Sequence, residues 1–165
     1  MLEPQILEKP ALNVIGLEAP FITALAAEAT NFQVIGPLWQ KFFPSVGQIE
    51  NRIGKEMVGL MYSKPATERS HPHELQYIAA VRVESLEKIP KGMVGRSIPA
   101  GQFAVFMHRG PIAKIGDTCR EIYQVWLPKS GFFHSDIADI EIYDHRFCPD
   151  SDDSIMEYWI SVRQK

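Results

Sequence analysis

The sequence has little of several features that mark large classes of proteins. It holds only two cysteines in 165 residues, too few for a disulfide framework, and Cys119 and Cys148 lack the close spacing of a metal-binding knuckle. Lysine and arginine together number 17 against 20 aspartates and glutamates, without a local basic run, which argues against direct binding of nucleic acid. There is no glycine-rich phosphate loop, so no nucleotide cofactor is expected, and His71 and His73 have no third ligand nearby, so no metal is expected.

Long hydrophobic runs are also missing. No stretch approaches the ~18 consecutive apolar residues of a membrane span, and the N-terminus lacks the basic and then apolar order of a signal peptide. We therefore expect a cytoplasmic protein without a membrane partner. The sequence does contain 45% hydrophobic and 10% aromatic residues, which is ample for one packed domain over residues 1–165.

The chain contains a duplicated pattern. Tyr62 and Tyr77 are 15 residues apart, and so are Tyr143 and Tyr158. The last two apolar segments of each half therefore superimpose without a gap at an offset of 81 residues. A duplicated unit constrains the architecture more firmly than local propensity does.

Each half, approximately residues 1–88 and 89–165, has the same order of patterns. In the second half, apolar residues alternate in strand fashion over residues 103–108 and then recur at helical spacing over residues 112–126. Two further strands follow, joined by a short polar loop that favours an antiparallel hairpin. We predict an α+β fold with duplicated strand-helix-strand-strand modules, which form one curved antiparallel sheet with two main helices on one face.

One strand pair of the second half combines carboxylates with aromatic rings. Strand parity assigns Tyr158 to the core face and groups Glu141 and Tyr143 with Glu157 and Trp159 on the opposite face. Aromatic faces attract cations by roughly 0.5–2 kcal/mol each, and a partly desolvated carboxylate supplies the balancing charge. The pattern indicates a site for an organic cation, and an ordinary solvated strand surface is the alternative interpretation.

Several strings of the sequence resemble a known family. They are IPAGQFAVF (residues 98–106), HRGP (108–111), IY with WLPKSG (122–123 and 126–131) and DIEIY (139–143). In this order they resemble the GyrI-like small-molecule-binding domain, which is also the effector-binding module of some AraC- and MerR-type transcription regulators. The resemblance extends to Trp39 and Phe42 in the first half and covers nearly the whole chain.

The resemblance implies a ligand cleft between the two modules, lined by aromatic residues around a central glutamate. Glu141 occupies the position of that glutamate. The function that the family resemblance implies is multidrug-type binding or sequestration of a lipophilic, cationic, drug-like small molecule, without a cofactor. The predicted ligand-binding residues are Glu141, Tyr143, Glu157, Trp159, Trp39, Tyr62, Phe106 and Tyr123.

Two alternatives to simple ligand binding follow from the same resemblance. About a dozen residues precede Val14, so no helix-turn-helix is expected and the chain is interpreted as a stand-alone member. Such members resemble multidrug binders, a protein that modulates DNA gyrase, or hydrolases of cyclopropane-bearing toxins. In the hydrolase alternative, Glu141 and Tyr143 are the catalytic residues. Aromatic residues near the cleft would also suit a homodimer.

Overall fold

The computed structural model describes residues 2–165 and contains one curled, eight-stranded antiparallel sheet with two main helical segments. The strands are β1 (Gln5–Lys9), β2 (Leu12–Ile22), β3 (Arg52–Tyr62), β4 (Glu74–Val83), β5 (Val94–Ile98), β6 (Gly101–Arg109), β7 (Phe132–Tyr143) and β8 (Ile155–Gln164). Their order in the sheet is β1-β6-β8-β7-β3-β4-β2-β5. This architecture confirms the predicted α+β fold.

The first helix, α1 (Asn31–Phe42), has one apolar side that packs against the sheet. Ile35, Leu38 and Trp39 are half-buried there and Phe42 is fully buried, as their helical spacing predicts. The helix ends at Phe42 and continues as a 3-10 segment, Phe43–Gln48, near whose start Pro44 lies. Helix α1 thereby covers part of the sheet face on which the functional site lies.

The second helical segment is built of consecutive pieces with different hydrogen-bonding patterns. They are a 3-10 turn (Ile112–Lys114), α2 (Ile115–Arg120), a π-helical stretch (Glu121–Trp126) and α3 (Leu127–Lys129). Pro111 precedes the first turn, where its missing N–H leaves no helical hydrogen bond unmade. π-helical stretches are rare and concentrate at functional sites, and this one carries Tyr123.

The two halves are joined by an exchange of edge strands. Strand β1 of the first half pairs with β6 of the second, and β5 of the second half pairs with β2 of the first. Each exchanged strand covers the edge of the other half's sheet. The repeated sequence pattern does not predict these two strands, because short edge strands add little apolar alternation.

Both faces of the sheet are buried. The face under the helices carries Tyr77 and Ala79 of β4 with Tyr158 and Ile160 of β8, which confirms the core face that strand parity predicts. The other face carries a second apolar cluster, including Ile140, that the curl of the sheet shields from solvent. Side chains of one strand therefore alternate between two interiors.

Within residues 2–165, no helix has both the length and the apolar character needed to cross a bilayer.

Candidate ligand-binding site

A cavity of about 230 Å³ lies between the helical segments and the face of the sheet that they cover. Its walls come from β2 and the loop after it, α1, α2, the π-helical stretch and strands β3, β4, β7 and β8. Most of the lining is apolar, with Phe21, Leu25, Ile35, Met61 and Ile115 as examples. The volume lies just below the ~300–1,000 Å³ of typical ligand pockets, so the cavity suits a small ligand.

Glu141 of β7 lines this cavity and is only 4% exposed. Its Oε2 accepts hydrogen bonds from the hydroxyls of Tyr77, at 2.7 Å, and Tyr143, at 2.6 Å. The Trp39 indole N–H donates in turn to the Tyr77 hydroxyl, at 3.0 Å. Within residues 2–165, Oε1 of Glu141 has no hydrogen-bond partner. No cationic side chain in this part of the chain forms an ion pair with the carboxylate.

The environment of Glu141 makes its negative charge unfavourable. Burial raises the pKa of this carboxyl above its usual value, and the nearby charge of Asp139 raises it further. The hydrogen bonds from Tyr143 and Tyr77 act in the opposite direction but do not cancel the effect of burial. A positive group placed in the cavity would supply the missing counter-charge.

Gly59 of β3 provides the space for these hydrogen bonds. It lies directly across from Glu141 in the β3–β7 ladder, on the same face of the sheet. A Cβ atom at position 59 would lie 2.6 Å from Glu141 Oε2 and would collide with the Tyr77 hydroxyl. Any larger residue at this position would therefore force the carboxylate and the tyrosine apart.

A second carboxylate, Asp139, faces the same cavity two residues before Glu141. It accepts a hydrogen bond from the Tyr123 hydroxyl, and its Oδ1 lies 2.9 Å from His134 Nε2. Burial opposes the charged form of His134, but the hydrogen bonds and charges of Asp139 and Asp136 outweigh it and raise its pKa to about 9. Asp139 is thus paired with a cation of its own, whereas Glu141 is not.

The His134–Asp139 pair predicts a pH dependence of folding stability. Because the pKa of His134 rises from about 6.5 in the unfolded chain to about 9 on folding, its contribution is complete below about pH 6.5. The contribution is lost as the pH rises through about 9. We expect the difference in Tm between the wild type and His134→Gln, measured by circular dichroism, to shrink across this range. A difference that stays constant would contradict the pairing.

Three of the predicted site residues lie with Glu141. Trp39 and Tyr143 belong to its hydrogen-bonded cluster, and their rings are in edge contact with centroids 5.5 Å apart. They stand beside the carboxylate rather than on the cavity wall. Tyr123 lines the cavity directly, together with Phe21 and Tyr158.

Glu157 and Trp159 lie on the opposite face of the sheet from Glu141, so the predicted grouping is wrong. In the first half, Leu60 of β3 pairs with Ile78 of β4. The repeat offset of 81 residues would therefore pair Glu141 with Trp159, but in the structure Glu141 pairs with Tyr158. This one-residue difference in register reverses which face each side chain occupies.

On their own face, Glu157 and Trp159 have partners outside the cavity. Glu157 forms an ion pair with Arg146, at 3.0 Å, and accepts a hydrogen bond from the indole of Trp159. Lys9 lies over the Trp159 ring, 4.0 Å from its centroid. These contacts leave neither residue available to Glu141.

Tyr62 and Phe106 also lie away from the cavity formed around Glu141. The Tyr62 hydroxyl bonds to Glu18, and Arg96 stacks over its ring on the face opposite to Glu141. Phe106 is fully buried on the helical face, where its ring packs against Trp126. The structure therefore does not bring these two residues together with the carboxylate.

Tyr77 and His134 are parts of the site that the sequence did not predict, and Asp139, although it lies in the DIEIY motif on the same strand face as Glu141, is absent from the predicted ligand-binding residues. Strand parity assigns Tyr158 to the core face, and Tyr77 is its equivalent in the first half, but a buried tyrosine hydroxyl needs a polar partner. That requirement is the signal that points to a buried polar group on the same face. Within residues 2–165, no cluster of three or more His, Cys, Asp or Glu side chains could hold a metal ion.

A buried carboxylate among tyrosines lines a small, mostly apolar cavity on the curled sheet, an arrangement suited to holding a small ligand. The sequence model of the GyrI-like small-molecule-binding domain matches residues 2–163, so the chain belongs to this family. The family resemblance expected from the motifs is confirmed.

Three known proteins illustrate the relationship. The transcriptional regulator BrlR of Pseudomonas aeruginosa is 29% identical over 147 residues, which cover 88% of this chain and 50% of the regulator, so the chain spans about half of that protein. The structure of SAV2435 bound to tetraphenylphosphonium is similar in fold, with a TM-score of 0.75 and 16% identity over 98% of this chain and 94% of that one. A hydrolase encoded by lin2189 from Listeria innocua has a TM-score of 0.53 and 12% identity, covering 98% and 92%.

Proposed function

We propose that the chain binds a small lipophilic cation in the cavity, with the Glu141 carboxylate as its counter-charge. The single observation that carries this proposal is the state of Glu141, which is 4% exposed and has no cationic partner within residues 2–165. Burying such a charge is costly unless an opposite charge approaches it. A ligand cation would remove that cost when it binds.

The walls of the cavity support a ligand that is apolar as well as charged. Phe21, Tyr123 and Tyr158 contribute aromatic rings, and aromatic faces attract cations by roughly 0.5–2 kcal/mol. Aliphatic side chains such as Leu25 and Ile35 complete the lining. Tetraphenylphosphonium, held by the similarly folded SAV2435, is a lipophilic cation of this kind. The cavity of about 230 Å³ favours smaller members of the class.

Calorimetry with a charged ligand and its uncharged isostere tests this function. Benzyltrimethylammonium and neopentylbenzene have the same shape, because a carbon replaces the charged nitrogen. We expect the cation to bind at least about tenfold more tightly near pH 8, a difference of about 1.4 kcal/mol.

Repeating the same calorimetry at several pH values provides an internal control, because only binding of the cation depends on the charge of Glu141. Because the pKa of Glu141 is raised, the charge needed for binding develops only above the usual range near 4.3. Affinity for the cation should therefore rise with pH across the acidic range, while affinity for neopentylbenzene stays constant. Equal binding of the two ligands at every pH would refute the proposed function.

Hydrolysis of an electrophilic ligand is a second candidate function at the same site. The observation that favours it is a carboxylate of raised pKa beside the Tyr143 hydroxyl, since such a carboxylate can take a proton from an attacking water. Tyr143 would orient the carboxylate through its hydrogen bond to Oε2, and the proton that Glu141 takes from the water would pass to the leaving group. Mass spectrometry of an incubation with a cyclopropane-bearing electrophile distinguishes the two functions, because only a hydrolase produces the water adduct.

A further inference from the structure

The cavity has a second polar wall, which offers hydrogen-bond donors, whereas strand β7 offers carboxylates. Asn31 is the first residue of α1, lines the cavity and is only 7% exposed. Its side-chain amide makes no hydrogen bond within residues 2–165, and its polar atoms are not sealed from the cavity. An unpaired amide at the wall of a cavity is a hydrogen-bonding group available to a ligand.

Two neighbouring features make this wall a donor of hydrogen bonds. Thr23 also lines the cavity, and its Oγ1 accepts from the Leu25 N–H, which leaves the hydroxyl proton free to be donated. Helix α1 has no acidic residue in its first turn and no side-chain cap, because the Thr30 hydroxyl accepts from Ile22 N–H instead. The positive end of the helix dipole therefore stays uncompensated beside Asn31.

We propose that Asn31 and Thr23 form a subsite that binds a hydrogen-bond acceptor, such as a carbonyl oxygen, on the ligand held at Glu141. This inference rests on the proposed function and narrows it to cations that carry an acceptor group. The cavity of about 230 Å³ is small enough for one ligand to reach both walls. An acceptor at this wall satisfies the amide donors of Asn31 and is favoured by the N-terminus of α1.

Two cations that differ in one group test the subsite. Phenacyltrimethylammonium carries a ketone, and in (2-phenylethyl)trimethylammonium a methylene replaces that carbonyl. We expect the wild type to bind the ketone roughly five- to tenfold more tightly in calorimetry, the effect of one additional buried hydrogen bond.

Substitutions in α1 test whether the Asn31 amide causes the preference for the ketone. Asn31→Leu, which is similar in size, and Asn31→Asp, which keeps the shape but lacks the N–H donors, should both lose the preference for the ketone. Gln33→Leu, on the exposed side of the same helix, should keep it. In Asn31→Asp the first turn of the helix favours the new carboxylate, which offsets part of the cost of burying it, and Asn31→Leu tests the same loss of donors without a buried charge.

The outcomes separate the subsite from the function on which it rests. Equal affinity of the two cations for the wild type overturns the subsite while leaving the cation site in place. A ketone preference that persists in both Asn31 variants also overturns it. If neither cation binds, the proposed function and the subsite fail together.

Discussion

Replacing Glu141 with glutamine is expected to remove about 1–3 kcal/mol of the binding free energy for benzyltrimethylammonium and none of that for neopentylbenzene. Glutamine keeps the size of the side chain, and its amide oxygen can still accept hydrogen bonds from Tyr77 and Tyr143. The charge is therefore the main property that changes. Calorimetry of both ligands with both proteins measures the effect.

The same substitution should raise the stability of the empty protein. A carboxyl whose pKa is higher in the folded chain contributes stability below about pH 4.3, and that contribution is lost as the pH rises through the folded pKa. Above the folded pKa, Glu141→Gln removes this unfavourable charge, so its midpoint of urea unfolding there should equal or exceed that of the wild type. Loss of binding then cannot be attributed to unfolding.

Glu157→Gln is the matched control for this variant. Glu157 is also a glutamate of the second half, but it lies on the opposite face and pairs with Arg146. We expect Glu157→Gln to bind the cation as the wild type does. Equal losses of cation affinity in the two variants would mean that the charge acts through the whole protein and not at the cavity.

Gly59→Ala is expected to weaken both the fold and the site. The added methyl group would meet Glu141 Oε2 and the Tyr77 hydroxyl, so the hydrogen bond between them must break or lengthen. Overpacking of this kind costs about 1–3 kcal/mol of unfolding free energy. Displacement of the carboxylate should also reduce cation affinity by about tenfold, or about 1.4 kcal/mol. Urea unfolding and calorimetry measure the two losses.

Gly47→Ala controls for the general effect of replacing a glycine. A Cβ atom at position 47 would meet nothing within 4 Å, and the residue is exposed in the 3-10 segment after α1. This variant should keep wild-type affinity and lose no stability. If Gly59→Ala behaves in the same way, Glu141 and Tyr77 are not confined as the structure indicates.

The sequence predicted Glu141 together with Tyr143, but not the hydrogen bond from Tyr77. Glu141 and Tyr143 were found because both lie in one short motif, two residues apart on one strand. Tyr77 lies in the other half of the chain, and its contact with Glu141 depends on the pairing of β7 with β3. No local pattern contains that pairing.

The face occupied by Glu141 and Tyr143 was predicted wrongly for a related reason, since both lie on the face of Tyr158 and not on that of Glu157 and Trp159. The two hairpins match in the spacing between their tyrosines, but the ladders differ by one residue: Leu60 pairs with Ile78, whereas Glu141 pairs with Tyr158 and not with Trp159. When both faces of a sheet are buried, either face accepts an apolar side chain. The pattern of apolar residues therefore does not reveal a one-residue shift in how two strands pair. The register therefore follows from tertiary packing.

The central claim is that Glu141 supplies the negative charge that a bound cation neutralises. Carbon-13 NMR of side-chain carboxyls, with the Glu141 signal assigned by its absence in Glu141→Gln, gives the pKa of this group directly. We predict a pKa above the usual value near 4.3 in the free protein, and a clear fall on saturation with benzyltrimethylammonium. A pKa that the bound cation leaves unchanged would contradict the account.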